Sequence, residues 1–124
     1  MRLSKKINKK RLMRLIRHKR IRKKIFGTEQ KPRLNIFKGS KTLFAQVIDD
    51  ISAKTLIGIA TNSKDLKGQV KGANIEGAKK LGKIIAEKCK EKGIKELVFD
   101  RGGYKYHGVI KSFADSVREN GIRI

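Results

Sequence analysis

The apolar positions change period along the chain, and each change marks an element. Over residues 1–26 they are sparse and imperfectly spaced. Leu12, Leu15 and Ile16 cluster, then Ile21, Ile25 and Phe26, which predicts a basic helix with a weak apolar side. Gly27 suits a helix C-cap, and Pro32, the only proline, turns Lys31 away from helical angles. Beyond it the period shortens to two. Residues 33–38 (RLNIFK) set Leu34 and Ile36 against Asn35 and Phe37, Gly39-Ser40 reads as a turn, and residues 42–48 (TLFAQVI) are apolar on both faces, as in a central strand. Asp49-Asp50 starts a second turn, and residues 54–60 (KTLIGIA) give a third strand. With such short links the three make an antiparallel meander.

Residues 61–72 are polar and rich in Gly and Lys, so a loop is expected there. Asn74 is a suitable N-cap for a helix whose apolar stripe is Ala78, Leu81, Ile85 and Cys89, ended by Gly93. A fourth strand is predicted at 95–99 (KELVF) and a Gly-rich loop at 100–108 (DRGGYKYHG). Val109, Ile110, Phe113, Ala114 and Val117 make a second amphipathic helix closed by Gly121, and residues 122–124 add a short edge strand. The order βββαβα(β) implies an α/β sandwich with a mixed sheet. The expected organisation is an arm and linker over residues 1–32, then a globular domain over 33–124, with about the mass for one modest core.

Charge changes this picture most. Fifteen of the first 33 residues are Lys or Arg, opposed only by Glu29, so the arm holds +14 of a formal net charge of +22. Such a segment repels itself and resists helix formation; its first ten residues or so are expected to order only against a polyanion, of which nucleic acid is the commonest in a cell. Arg14, Arg17, Lys19, Arg20, Arg22, Lys23 and Lys24 are the phosphate-neutralising candidates. The competing readings are a solvated charged helix, a membrane-surface helix and a transit peptide. The second lacks a clean apolar face with Trp or Phe, and the third fits poorly with one Ser before residue 28 and so much Lys. No apolar run approaches a membrane span.

The loop DRGGYKYHG is the second candidate. Gly102 and Gly103 would let backbone amides approach a phosphate, Arg101 and Lys105 supply charge, and Tyr104, Tyr106 and His107 offer flat faces to unpaired bases. One of the two tyrosines is as well explained by packing on the sheet. Residues 77–83 (GAKKLGK) match the spacing of a phosphate-binding loop, but Ile84 stands where Ser or Thr is needed and no strand precedes; Gly77 and Gly82 fit close packing or RNA approach better. Asp49, Asp50 and Asp100 at predicted strand ends could suggest a metal nuclease. The first strand carries no carboxylate, however, and turn chemistry and an Arg partner explain them more simply. His18, within RHKR, is expected at the surface or facing RNA rather than on a metal. The single Cys89 excludes an internal disulfide and reads as a buried thiol in a reducing compartment.

Four stretches carry a family resemblance: RHKRIRKKIFGT (17–28), KPRLNIFKGSK (31–41), FAQVIDD (44–50) and, most specific, VFDRGGYKYHG (98–108). Together with the helix at 72–94 they run in order through essentially the whole chain, which resembles the large-subunit ribosomal protein family numbered eighteen, the bacterial 5S rRNA-binding family. The resemblance implies a ribonuclease-H-like sandwich without the nuclease carboxylates and a non-catalytic, cytoplasmic protein of the large subunit, with no cofactor, small-molecule substrate or membrane. It would bind 5S rRNA, help seat it in the central protuberance, touch 23S rRNA and neighbour other 5S-binding ribosomal proteins. By position it carries RNA contacts onto Arg17, His18, Arg20, Arg22, Lys23 and Lys24 in the arm, and onto Arg33, Lys38 and Lys41 in the first hairpin. In the loop and following helix it carries them onto Arg101, Tyr104, Lys105, Tyr106, His107 and Lys111. Val109 stands where many members have Arg, so that phosphate contact is lost or passes to Lys111 or Lys105. A general nucleic-acid-binding protein of the same fold, without a ribosomal role, is the alternative.

Overall fold

Leu34 opposes Val47, which opposes Ile57; Ile36 opposes Ala45, which opposes Ile59. These two rows form one apolar face across three strands, and all six side chains are buried. The computed structural model describes residues 9–39, 41–62 and 73–124. Its elements are α1 (Lys9–Arg22), β1 (Arg33–Lys38), β2 (Leu43–Asp49), β3 (Lys54–Ala60), α2 (Ile75–Glu91), β4 (Val98–Asp100) and α3 (Gly108–Glu119). The sheet order is β3-β2-β1-β4, antiparallel except for the parallel β1–β4 pair. The mixed sheet and the α/β sandwich are as the pattern predicts.

Helices α2 and α3 cover the apolar face. Asn74 caps α2 through Oδ1, which accepts from the Gly77 amide at 2.7 Å, and Ala78, Leu81, Ile85 and Cys89 are fully buried. The two helices approach closely because of Gly82. A Cβ there would meet the Ser116 Cβ at 2.7 Å and the Phe113 carbonyl at 2.8 Å, so Gly82 is a packing glycine. Truncating a core side chain such as Leu81 to Ala would cost about 2–5 kcal/mol.

Five expectations shift. β2 alternates buried and half-buried rather than being buried on both faces. β4 starts three residues later than predicted, because residues 95–97 pair with the C-terminus instead. Leu97 N–H donates to the Arg123 carbonyl at 2.8 Å and Arg123 N–H to that of Lys95 at 3.1 Å, leaving one bridge, Glu96 to Arg123, in place of an edge strand. α1 ends at Arg22, well before Gly27, and does not extend towards Phe26. Gly27 is a point of close approach, not a cap. A Cβ on it would run into the Arg33 amide and the Ile48 carbonyl, where the chain leaving α1 crosses the ends of β1 and β2. The expected order of the first residues, the Gly39-Ser40 turn at Ser40 and most of the 61–72 loop lie outside the described residues.

Candidate nucleic-acid interface

On β1, Arg33, Asn35 and Phe37 point away from the core, and Asp100 pairs with Asn35 in register, so it shares that second face. α1 lies there, on the side of the sheet opposite α2 and α3. It docks with its polar stripe. Arg14 Nη1 donates to the Gly102 carbonyl (3.0 Å), Arg17 Nε to that of Gly103 (2.8 Å), and His18 Nε2 meets Asp100 Oδ2 (3.1 Å). Leu12, Leu15 and Ile16 are turned to solvent, and no residue of α1 is buried. The usual amphipathic arrangement is inverted because the surface beneath α1 offers carbonyls and carboxylates. Gly103 permits the approach: its φ is +80°, and a Cβ would strike the Arg14 carbonyl and sit 2.8 Å from the His18 amide.

Under α1 lies a closed ion-pair cluster. Arg33, 8% exposed, sends Nη1 to Asp100 Oδ2 at 2.8 Å, Nε to Asp50 Oδ2 at 3.0 Å and Nη2 to Asp50 Oδ1 at 3.1 Å. Asp50 also accepts from the Gly27 amide (2.7 Å) and faces Arg22 Nη1 at 3.6 Å, while Asp100 Oδ1 accepts from the Gly102 amide at 2.9 Å. Burial pushes the Asp50 carboxyl up, but the Arg33 hydrogen bonds, the Gly27 amide and the two guanidinium charges outweigh it and hold its pKa below the usual range. Burial likewise lowers the Arg33 pKa, and its two carboxylates more than reverse this. Asp49 is occupied by its own turn, accepting from the Ile51 amide and the Ser52 hydroxyl. Among the described residues no three His, Cys, Asp or Glu side chains are grouped to hold a metal ion.

These contacts separate the candidate residues into groups. Arg14, Arg17, Lys38, Tyr104, Lys105 and His107 line one open cleft of about 1060 Å³, between α1, the end of β1 and the start of α3. Lys9, Lys10 and Arg11 join them, outside the phosphate-neutralising candidates named from the sequence. Their signal was the same charge density, in a stretch expected to order only on binding. Among the described residues the lining contains no Asp or Glu. Gly108, Val109 and Ile110 bring the first turn of α3 into the cleft, and the N-cap His107 makes no side-chain capping bond, so the positive end of that helix adds to the field. Arg20, Lys23, Lys24 and Lys41 are exposed outside the cleft.

Tyr104 of the cleft and most of the other candidates are engaged within the fold. Arg33 is enclosed by its carboxylates, so the structure removes it from the outer surface. His18 is held by Asp100 and Arg22 faces Asp50, each partly exposed. Gly102 and Gly103 are buried under α1, not open to a phosphate. Tyr104 braces the hairpin, its hydroxyl accepting from the Lys38 amide at 3.0 Å and donating to the Lys38 carbonyl, with the Arg14 guanidinium 4.8 Å from its ring centroid. Arg101 bonds to the Tyr104 carbonyl. Tyr106 lies edge-on to Phe99 and accepts from Arg118, and Lys111 pairs with Asp115 at 2.9 Å, which raises the lysine pKa and lowers that of the aspartate.

The family model described as ribosomal L18 of archaea, bacteria, mitochondria and chloroplast matches residues 8–124. The large ribosomal subunit protein uL18 of Clostridium kluyveri is 52% identical over 119 residues, 96% of this chain and 98% of the relative. Those of Thermoanaerobacter sp. (strain X514), 52% over 106 residues (86% and 88%), and Caldicellulosiruptor saccharolyticus, 49% over 121 residues (97% of each), are similar over most of their length. With a match of this extent, the chain belongs to the L18 family of ribosomal proteins, structural components of the large ribosomal subunit.

Proposed function

We propose that this protein binds 5S rRNA and helps attach it to 23S rRNA in the central protuberance of the bacterial large subunit, beside other 5S-binding ribosomal proteins. The cleft carries this reading: among the described residues, seven Lys or Arg side chains and the open end of α3 face one groove with no carboxylate in its lining. Phosphates entering it displace counterions and gain hydrogen bonds from Arg14, Arg17, Lys38 and Lys105 without displacing an internal acid. Residues 1–32 act as the arm and 33–124 as the platform. Lys105, which lines the cleft, takes the role left open at Val109, rather than Lys111, which is paired with Asp115. His18 and Arg22 hold the arm in place and reach RNA with their remaining exposed edges. Arg20, Lys23, Lys24 and Lys41 extend the cationic field around the groove.

The test is equilibrium binding of 5S rRNA across salt concentration, with duplex DNA as competitor. If about six to ten phosphates are neutralised, affinity falls roughly 10³–10⁵-fold between 50 and 200 mM salt. Charge reversal at Lys9 and Lys10 weakens binding strongly, and reversal at Lys111 weakens it little. A flat salt response would contradict phosphate recognition. Equal competition by duplex DNA would favour a general nucleic-acid-binding protein.

A further inference from the structure

Phe37 is out of place by the rules that formed its strand. It follows Arg33 and Asn35 on the polar face of β1, yet it is a large apolar ring left 52% exposed. Directly across the ladder is Phe44, half-buried on the same face. The Phe44 ring lies against Gly58 on β3, where a Cβ would come within 3.6 Å of its Cζ. Glycine at that place leaves room for the ring to lie over the neighbouring strand. Two aromatic rings are thus in register on the same face of the sheet as α1, with Phe37 exposed.

The surroundings are cationic. The Arg14 guanidinium stands 5.9 Å from the Phe37 centroid, Lys38 follows in the strand, and Lys41 lies across the turn. From Arg33 to Ile48 the hairpin contains no acidic residue. Gln46, next to Phe44 on this face, adds a half-buried amide that can donate and accept.

We infer that Phe37, supported by Phe44, is a stacking platform for an unpaired RNA base, an inference that rests on the RNA-binding reading above. An apolar protein surface laid on Phe37 would desolvate Arg14, Lys38 and Lys41 without giving them partners. An unpaired nucleotide satisfies both features, with its base on the ring and its phosphates among the cations. Arg14 joins the two sites, because the side chain that lines the cleft also approaches the Phe37 ring. A strand whose phosphates occupy the cleft therefore places an adjacent base on the platform. Duplex RNA keeps its bases stacked internally and cannot use it, so the platform selects loops and bulges over helices.

The chain has no Trp, so Phe37→Trp installs a single indole, separable from the two tyrosines by excitation wavelength, on an exposed site. Titration with 5S rRNA is expected to quench its emission, whereas a fully paired RNA duplex of equal charge binds without quenching. Phe37→Leu is expected to lower 5S affinity roughly 5- to 100-fold, the range for one aromatic–base stack, with the salt slope and thermal unfolding unchanged. Unchanged indole emission from the Phe37→Trp variant at saturation, or wild-type affinity in the Phe37→Leu variant, overturns the platform while leaving phosphate binding intact. Failure of the wild type itself to bind 5S rRNA overturns both readings, and the wild-type titration alone reveals that case.

Discussion

Arg33 and Asp100 meet at 2.8 Å in the layer between the sheet and α1, 67 residues apart in sequence but on adjacent parallel strands. Asp100 is fully buried and also holds His18, while Arg33 bridges it to Asp50. One guanidinium therefore couples the hairpin, the fourth strand and the arm. Removing it as Arg33→Met leaves Asp50 and the buried Asp100 with only the Gly27 and Gly102 amides, Arg22 at 3.6 Å and His18 as partners among the described residues, and the expected loss is about 3–5 kcal/mol. Arg33→Lys should rescue only part of this, since an ammonium cannot reproduce the forked contact with Asp50 while reaching Asp100. Urea unfolding followed by circular dichroism measures both.

Asp50 gives the cluster a pH dependence of definite sign. Its pKa is lowered in the folded protein from an ordinary value of 3.8, so the unfolded chain takes up the proton first on acidification. The stabilisation is full above about pH 5 and is lost as pH falls through the depressed folded value. The expected outcome is a falling urea midpoint below that pH. Asp50→Asn should be less stable at neutral pH and show a shallower acid limb. Equal acid limbs in the two proteins would place the dependence elsewhere.

Gly103 tests how the arm is seated. Gly103→Ala forces a side chain onto a backbone at φ +80° and against the Arg14 carbonyl, so α1 must lift. The core formed by α2, α3 and the sheet is not involved, so hydrogen exchange should quicken in α1 while protection of α2 is retained. Affinity for 5S rRNA should fall with it. Slow exchange in α1 of the variant would show that the arm tolerates the displacement.

Cys89 is fully buried, and burial pushes its thiol pKa up to about 11. It should resist alkylation at neutral pH in the native protein and react at once in urea. Rapid labelling without denaturant would mean that α2 opens locally.

Removal of the arm separates stability from binding. Pro32 is buried and its carbonyl accepts from Val98 at 2.8 Å, so the cut belongs before Lys31. The remaining chain is expected to fold with a lower melting temperature, because Asp100 and Asp50 lose His18, Arg22 and the Gly27 amide, and to bind RNA far more weakly. Unchanged 5S affinity at physiological salt would show that the arm is dispensable.

Local patterns in the sequence carried the order of elements. Leu34 and Ile36 alternate, and Ala78, Leu81, Ile85 and Cys89 recur at helical spacing, because burial of one face imposes a period that any reader of the chain can see. The charge of the arm was equally legible, since electrostatic character follows from composition. The tertiary structure alone decided how individual residues are used. It showed that Arg33 is enclosed by two aspartates, that Gly27, Gly102 and Gly103 allow close approach of backbones, and that α1 turns Arg14, Arg17 and His18 inward and Leu12 outward. It also gathered Lys9, Arg14, Lys38 and Lys105 around one cleft. Each of these depends on partners many residues away, and a basic residue looks the same in sequence whether its counter-charge is an internal carboxylate or a phosphate.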